Sequence, residues 1–399
     1  MTSELAAVKA ELSRVVAVSS EKILKLEEEN DVLAEANELL MQENARLRSE
    51  LEGLKALDVS MATLTVSEPT VPEDLLTPGD GVFTQKEEAV ISPAHSMNVL
   101  SVSGHVTRSN IIASGAVDKC VKVYDWKSKQ LLDTFDAGAP VLAVSFHPQV
   151  EYADYLLVSC MDGHSYVLML NGTELKLVQA FHDHTRQGNV RHIWLSQGLA
   201  FATAASDKTA HLYRSSQQVN FTIAKSYYFN GTVEALTVVP AATTEAEQLV
   251  IAVRDDCYVH YVDCTTLEKI RLNMNADGIE HVSYTIMDLR VSPSGKYLLA
   301  ATDSNRHFIF QVKTNVVLRS FYGHTAGAYS QPRALWHTSE KYILSNNEGD
   351  GTIYIWSVAS ERLVHQFKAH DKLIRDMDLV HGVVLTASYD KAVKVWTDQ

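Results

Sequence analysis

The sequence predicts an all-β fold of seven repeated units preceded by a long α-helical coiled coil, and three observations predict it. From about residue 82 onward, short runs rich in Val, Ile and Leu alternate with turn residues, the pattern of consecutive antiparallel strands. Within that stretch an aspartate in a turn-like context recurs at Asp118, Asp162, Asp207, Asp255 or Asp256, Asp303, Asp350 and Asp390, at spacings of 40 to 49 residues. Ahead of it, Leu26, Leu33, Leu40, Leu47 and Leu54 stand seven residues apart, which is the period of a coiled-coil seam.

The repeat is clearest at the end of the chain. Three apolar runs, Leu373–Leu379, Val383–Ser388 and Ala392–Trp396, are separated by His381-Gly382 and by Tyr389-Asp390-Lys391. His370 opens the unit, Asp390 lies in its last turn and Trp396 closes it, which resembles a WD repeat. The preceding unit repeats the order with Tyr322-Gly323-His324, Asp350 and Ile355-Trp356. The resemblance implies an all-β seven-bladed WD-repeat β-propeller over residues 81–399. Its blades would be 95–135, 136–181, 182–229, 230–274, 275–321, 322–367, and 368–399 completed by the run Val82–Ile91 as an outer strand. In that family the opening His, a Ser or Thr, the turn Asp and the closing Trp form a hydrogen-bonded set. Full sets are expected twice, as His324, Ser345, Asp350 and Trp356, and as His370, Thr386, Asp390 and Trp396. Blades 1 and 3 carry Tyr124 and Tyr213 in place of Trp, while blades 2, 4 and 5 carry Leu168, Tyr261 or Val262, and Ile309.

Residues 1–57 contain no Pro, and their first Gly is Gly53. Between the heptad leucines fall Ile23, Asn30, Asn37, Asn44 and Leu51. Leu at every d and Asn at three consecutive a positions predict a parallel, in-register zipper with its core at 23–54, because paired amides satisfy each other across a two-stranded seam. Lys22 with Glu27, Glu43 with Arg48, and Glu50 with Lys55 are oppositely charged across the pair, which favours a homodimer. A single helix packed on the globular part would need a wider apolar stripe.

The net charge is −14, distributed as −6 over residues 1–60, −5 over 61–90 and −3 over the remainder. The repeat region therefore has no basic stripe, and direct nucleic-acid binding is not expected. Pro69, Pro72 and Pro78 among Thr, Ser, Glu and Asp predict a flexible acidic linker over 58–80. No run is apolar enough for a membrane span, and the N-terminus lacks the order of a signal peptide. An intracellular, cytoplasmic rather than nuclear, location is expected. Cys120, Cys160, Cys257 and Cys264 show no metal-ligand spacing, so no metal, no disulfide and no cofactor are expected. No nucleophile elbow, P-loop or zinc helix is present, and no catalytic residue is assigned.

In the WD-repeat family, partners usually dock on the narrow top face, at the start of each innermost strand and just before the turn Asp. Those positions correspond here to Leu142, Arg191, Glu234, Met287, Arg333 and Arg375, and to Asp255 and Tyr389. Three arginines on one rim would suit an acidic or phosphorylated peptide. The expected partner-binding set is Arg191, Glu234, Met287, Arg333, Arg375 and Tyr389. The expected function is a non-enzymatic protein–protein interaction scaffold, dimerised by its coiled coil. Two alternatives stay open: a G-protein-β-like subunit pairing through its N-terminal helix with a different small protein, and a propeller-based hydrolase.

Overall fold

The computed structural model describes residues 70–398 except 186, 187, 189, 216–218, 243, 244, 276 and 327–330, together with Lys22 and Gln42, which are helical and exposed. The zipper positions Ile23, Leu26, Asn30, Leu33, Asn37, Leu40, Asn44, Leu47, Leu51 and Leu54 lie outside the described residues.

The repeat region forms seven antiparallel sheets of four strands each, a seven-bladed β-propeller. Six blades are continuous in sequence, at 99–136, 141–181, 190–228, 233–273, 286–322 and 334–368. The seventh combines the last three strands, 374–398, with Thr84–Ile91 as its outer member. That strand pairs antiparallel with Val393–Asp398, from Thr84 opposite Asp398 to Ile91 opposite Val393, so the ring is closed by main-chain hydrogen bonds rather than by side chains alone.

Each blade buries its second strand most completely. Ile111–Ala116, Ala200–Ala205, Gln248–Val253 and Tyr297–Thr302 are buried at every position, as expected for strands covered on both faces by neighbouring blades. The apolar clusters span adjacent blades, for example Val123 and Val121 of blade 1 with Val144, Leu156 and Leu168 of blade 2. A blade thus completes its core only against the next one. The four cysteines carry free thiols, Cys160 and Cys264 in the interior.

The end of the segment expected as a linker is docked rather than free. Residues 73–76 form a short helix, Glu73–Leu76, whose Leu75 is 2% exposed and packs with Tyr297, Phe321 and Trp336 of blades 5 and 6. Asp74 accepts from Tyr297 Oη at 2.7 Å, and Lys341 Nζ donates to its carbonyl at 2.6 Å. Gly81 N then donates to Tyr342 Oη at 2.7 Å, and Phe83 meets the Tyr342 ring edge-on. The prolines suppress regular structure around one apolar residue that finds a site between two blades.

The expected hydrogen-bonded sets hold in blade 7 and fail in blade 6. His370 reaches Asp390 at 2.9 Å and Thr386 at 2.7 Å, and Trp396 Nε1 donates to the same Thr386 hydroxyl at 3.0 Å. Blades 1 and 3 build equivalents, with His95 on Asp118 and Ser114 and His184 on Asp207 and Thr203. In blade 6, Ser345 is taken by His307 of blade 5 at 3.0 Å. Trp356 Nε1 donates to the Tyr322 carbonyl, and Asp350 accepts from Asn347 and Thr352. His324 stacks on His307, and neither of its ring nitrogens has a partner among the described residues. His307 reaches in from the neighbouring sheet and takes the place beside Ser345 that the motif assigns to His324.

Candidate functional site

The innermost strands surround a central channel of about 510 Å³, lined among others by Ser101, Ser103, Arg191, Asp288, Arg290, Arg333, Asp376 and Asp378. Neighbouring innermost strands are joined across it by side chains. Asp376 of blade 7 accepts from Ser101 Oγ at 2.6 Å and Val102 N at 3.2 Å, and Asp378 accepts from Gly104 N at 2.9 Å. Ser101 and Ser103 in turn receive the amides of Val144 and Phe146 of blade 2. Arg290 is held above its usual pKa by Asp288, Asp376 and Asp378 against the opposing effect of burial, and burial pushes Asp378 up. The carboxylates of the channel are thus spent on amides, hydroxyls and guanidiniums.

Four of the top-face positions read from the sequence sit at one recurrent irregularity, whereas Arg191 pairs in register with Ala204 and Arg333 precedes its strand. The register shifts between Val141 and Ala143, Val233 and Ala235, Ile286 and Asp288, and Ile374 and Asp376. The residues skipped by the ladder are Leu142, Glu234, Met287 and Arg375, and blade 1 has Leu100 in the same place. A bulge of this kind re-aims a side chain; Leu100, Leu142 and Glu234 line the channel, Arg375 lines a smaller cleft, and Met287 is buried.

The six expected partner-binding residues do not behave alike. Arg333 is 4% exposed, donates to the Met287 carbonyl at 3.1 Å and lies 3.7 Å from Asp288 and 3.9 Å from Asp376. Glu234 and Met287 are also buried, Glu234 paired with Arg254 at 2.8 Å. Glu234 and Arg333 line the channel, and the polar partners of both lie within the ring. Arg191, Arg375 and Tyr389 remain half-buried, Arg191 lining the channel and the other two a smaller cleft. Arg191 Nη2 donates to Gln331 Oε1 at 3.1 Å, and Arg375 Nη2 donates to the same oxygen. Gln331 belongs to the segment 324–332 that precedes blade 6, of which 327–330 lie outside the described residues.

Burial, then the positive charges of Arg333 and Arg375, hold Arg191 well below its ordinary pKa. Burial and Arg333 bring Arg375 down to about 10, opposed by Tyr389 and Asp376. Beside Arg375 opens a cleft of about 140 Å³ lined by Thr325, Gln331, Asn346, Leu373 and Tyr389. Among the described residues no group of three or more His, Cys, Asp or Glu is placed to hold a metal ion, and no helix is long and apolar enough to cross a membrane.

Comparison with known proteins agrees with this architecture. Three stretches, 87–125, 315–357 and 361–397, match the family described as WD domain, G-beta repeat. Each begins on the outer strand of one blade and continues through the three inner strands of the next, so the chain contains WD40 repeats that lace adjacent sheets together. Among curated proteins, it is similar to the pre-rRNA-processing protein crb3/ipi3 of Schizosaccharomyces pombe, with 22% identity over 33% of this chain and 36% of that one. It is 30% identical to human pre-mRNA-processing factor 17 over 27% of this chain and 19% of the other. A diphthine methyltransferase homolog of Dictyostelium discoideum is 35% identical over 18% of this chain and 20% of the other. The chain thus spans little more than a third, at most, of the length of these relatives.

Proposed function

We propose that this chain is a non-enzymatic interaction scaffold in which a parallel zipper over 23–54 pairs two copies and the propeller docks protein partners at the mouth of its channel. The observation that carries the docking face is the convergence of Arg191 and Arg375, from blades 3 and 7, on Gln331, which lines a cleft together with Arg375 and Tyr389. Arginine and tyrosine combine contact area with polar tips, and a guanidinium favours acidic or phosphorylated peptides. Pairing two propellers would raise avidity for a repeated target without any new contact. The processing names carried by two relatives fit membership of a multi-protein assembly and give the cytoplasmic expectation no support.

The test is affinity capture with mass spectrometry on the full chain, on Arg191→Glu/Arg375→Glu, and on Leu33→Glu/Leu40→Glu. Partners lost with the arginine pair place recognition on the channel mouth. Partners kept by it and lost with the leucine pair move recognition to the N-terminal segment. Light scattering of the same proteins checks the zipper: the leucine pair should halve the mass in solution. A wild-type monomer that pairs only with a second protein would favour the G-protein-β-like alternative.

A further inference from the structure

Arg191 and Arg375 belong to strands at opposite places in the chain, yet both guanidiniums meet one neutral acceptor, the side-chain oxygen of Gln331. Among the described residues neither forms an ion pair with a carboxylate, whereas Arg333 beside them has Asp288 and Asp376. Nη1 of Arg375 is buried and has no partner among the described residues. A guanidinium stays charged in a protein; burial and the neighbouring arginines depress both groups, opposed only in part by Glu234 and Asp288 at Arg191 and by Tyr389 and Asp376 at Arg375. Gln331 lines the rim cleft, and Arg191 lines the channel. The amide therefore stands where the two spaces approach each other. Glu348 is the one acidic residue of the cleft lining and partly offsets its attraction for an anion.

We propose that the Gln331 amide is a removable plug in an oxyanion receptor, and that the acidic tip of one peptide side chain, carboxylate or phosphate, displaces it to bind Arg191 and Arg375 together. An amide oxygen offers the two arginines a partial charge, whereas an oxyanion offers a full one and can take both guanidiniums through separate oxygens. Charge-assisted bonds of that kind are about twice as strong as neutral ones. The cleft is too small for a folded surface and suits a side-chain headgroup. This inference rests on the docking face proposed above and specifies what that face reads.

The probes are inorganic phosphate and, separately, acetate, titrated calorimetrically into the full-length protein at constant ionic strength with chloride. Saturable binding is expected, weakened about tenfold or more by Arg375→Gln and by Arg191→Gln. Gln331→Ala removes the plug and should tighten binding, while Gln331→Glu supplies the anion internally and should abolish it while raising the melting temperature. If an arginine variant does not fold, the two Gln331 variants decide. A stronger response to phosphate or to acetate identifies the acid, and either supports the receptor. No saturable binding of either, or equal binding by wild type and Gln331→Glu, overturns it. Capture of partners that survives this failure would leave the scaffold standing, whereas anion binding without capture would remove the scaffold alone.

Discussion

His307 and His324 stack with ring centroids 3.9 Å apart, and it is His307, from the neighbouring blade, that holds the Ser345 hydroxyl. Both imidazoles are buried, and burial brings His324 down to about 4 and His307 well below its ordinary value, with the His324 charge adding to the effect on His307. In the unfolded chain each titrates near 6.5. Above that pH neither state binds the proton and the pair adds no pH dependence. Between 6.5 and about 4 the unfolded state holds more protons, so stability falls as pH falls. His324 alone should account for about 3 kcal/mol at the bottom of that window. His324→Phe should leave stability at pH 7 unchanged or raised, because it removes a buried polar ring without a described partner. The same variant should flatten the loss between pH 6.5 and 4, read as denaturant midpoint against pH; an unchanged slope would refute the assignment.

His370 makes the opposite case. Its two bonds, to Asp390 and Thr386, lie in the interior, and Trp396 shares the Thr386 hydroxyl. His370→Ala should cost about 2–4 kcal/mol at pH 7. Urea denaturation of the two histidine variants side by side would separate a working network from a vestigial one.

Arg333 and Arg375 were indistinguishable in sequence and differ in what they serve. Arg333→Ala strips compensation from Asp288 and Asp376 and should destabilise by about 3–5 kcal/mol. Arg375→Ala relieves a like-charge neighbour and should cost less than about 1 kcal/mol. Thermal unfolding of both, with partner capture for the second, checks the division.

The helix Glu73–Leu76 should count toward the stability of the ring. Leu75→Ala empties a site between blades 5 and 6 and should cost about 2–3 kcal/mol. A midpoint shift within experimental error would show that the segment rests on the surface without contributing.

The repeat was legible because each unit spells out its turns: aspartates at regular intervals and apolar runs of strand length identify seven blades and even the outer strand that closes the last. The channel mouth was legible only as positions. Counting along strands placed Arg333, Glu234 and Met287 on the same footing as Arg191 and Arg375, since nothing in one blade's sequence reveals a carboxylate supplied by another. Asp288 lies in blade 5 and Asp376 in blade 7, and both stand within ion-pair distance of Arg333. His324 fits the motif for a related reason without serving it: the competitor for Ser345 comes from a blade whose own motif is degraded. Gln331 is an uncharged residue in a loop, and nothing in the sequence marks its amide as the shared acceptor of two arginines. The docking of Leu75 was hidden by the prolines around it.

The closing strand also has a mechanical meaning. Thr84 faces Asp398 at one end of the ladder, so tension between the chain ahead of residue 84 and the final strand would peel the pairs apart one after another, the weakest way to load a sheet. The hold of Asp74, Leu75 and Gly81 on blades 5 and 6 intercepts that tension first. A pull arriving ahead of residue 74 would thereby be shared with two blades before it reached the seam of the ring.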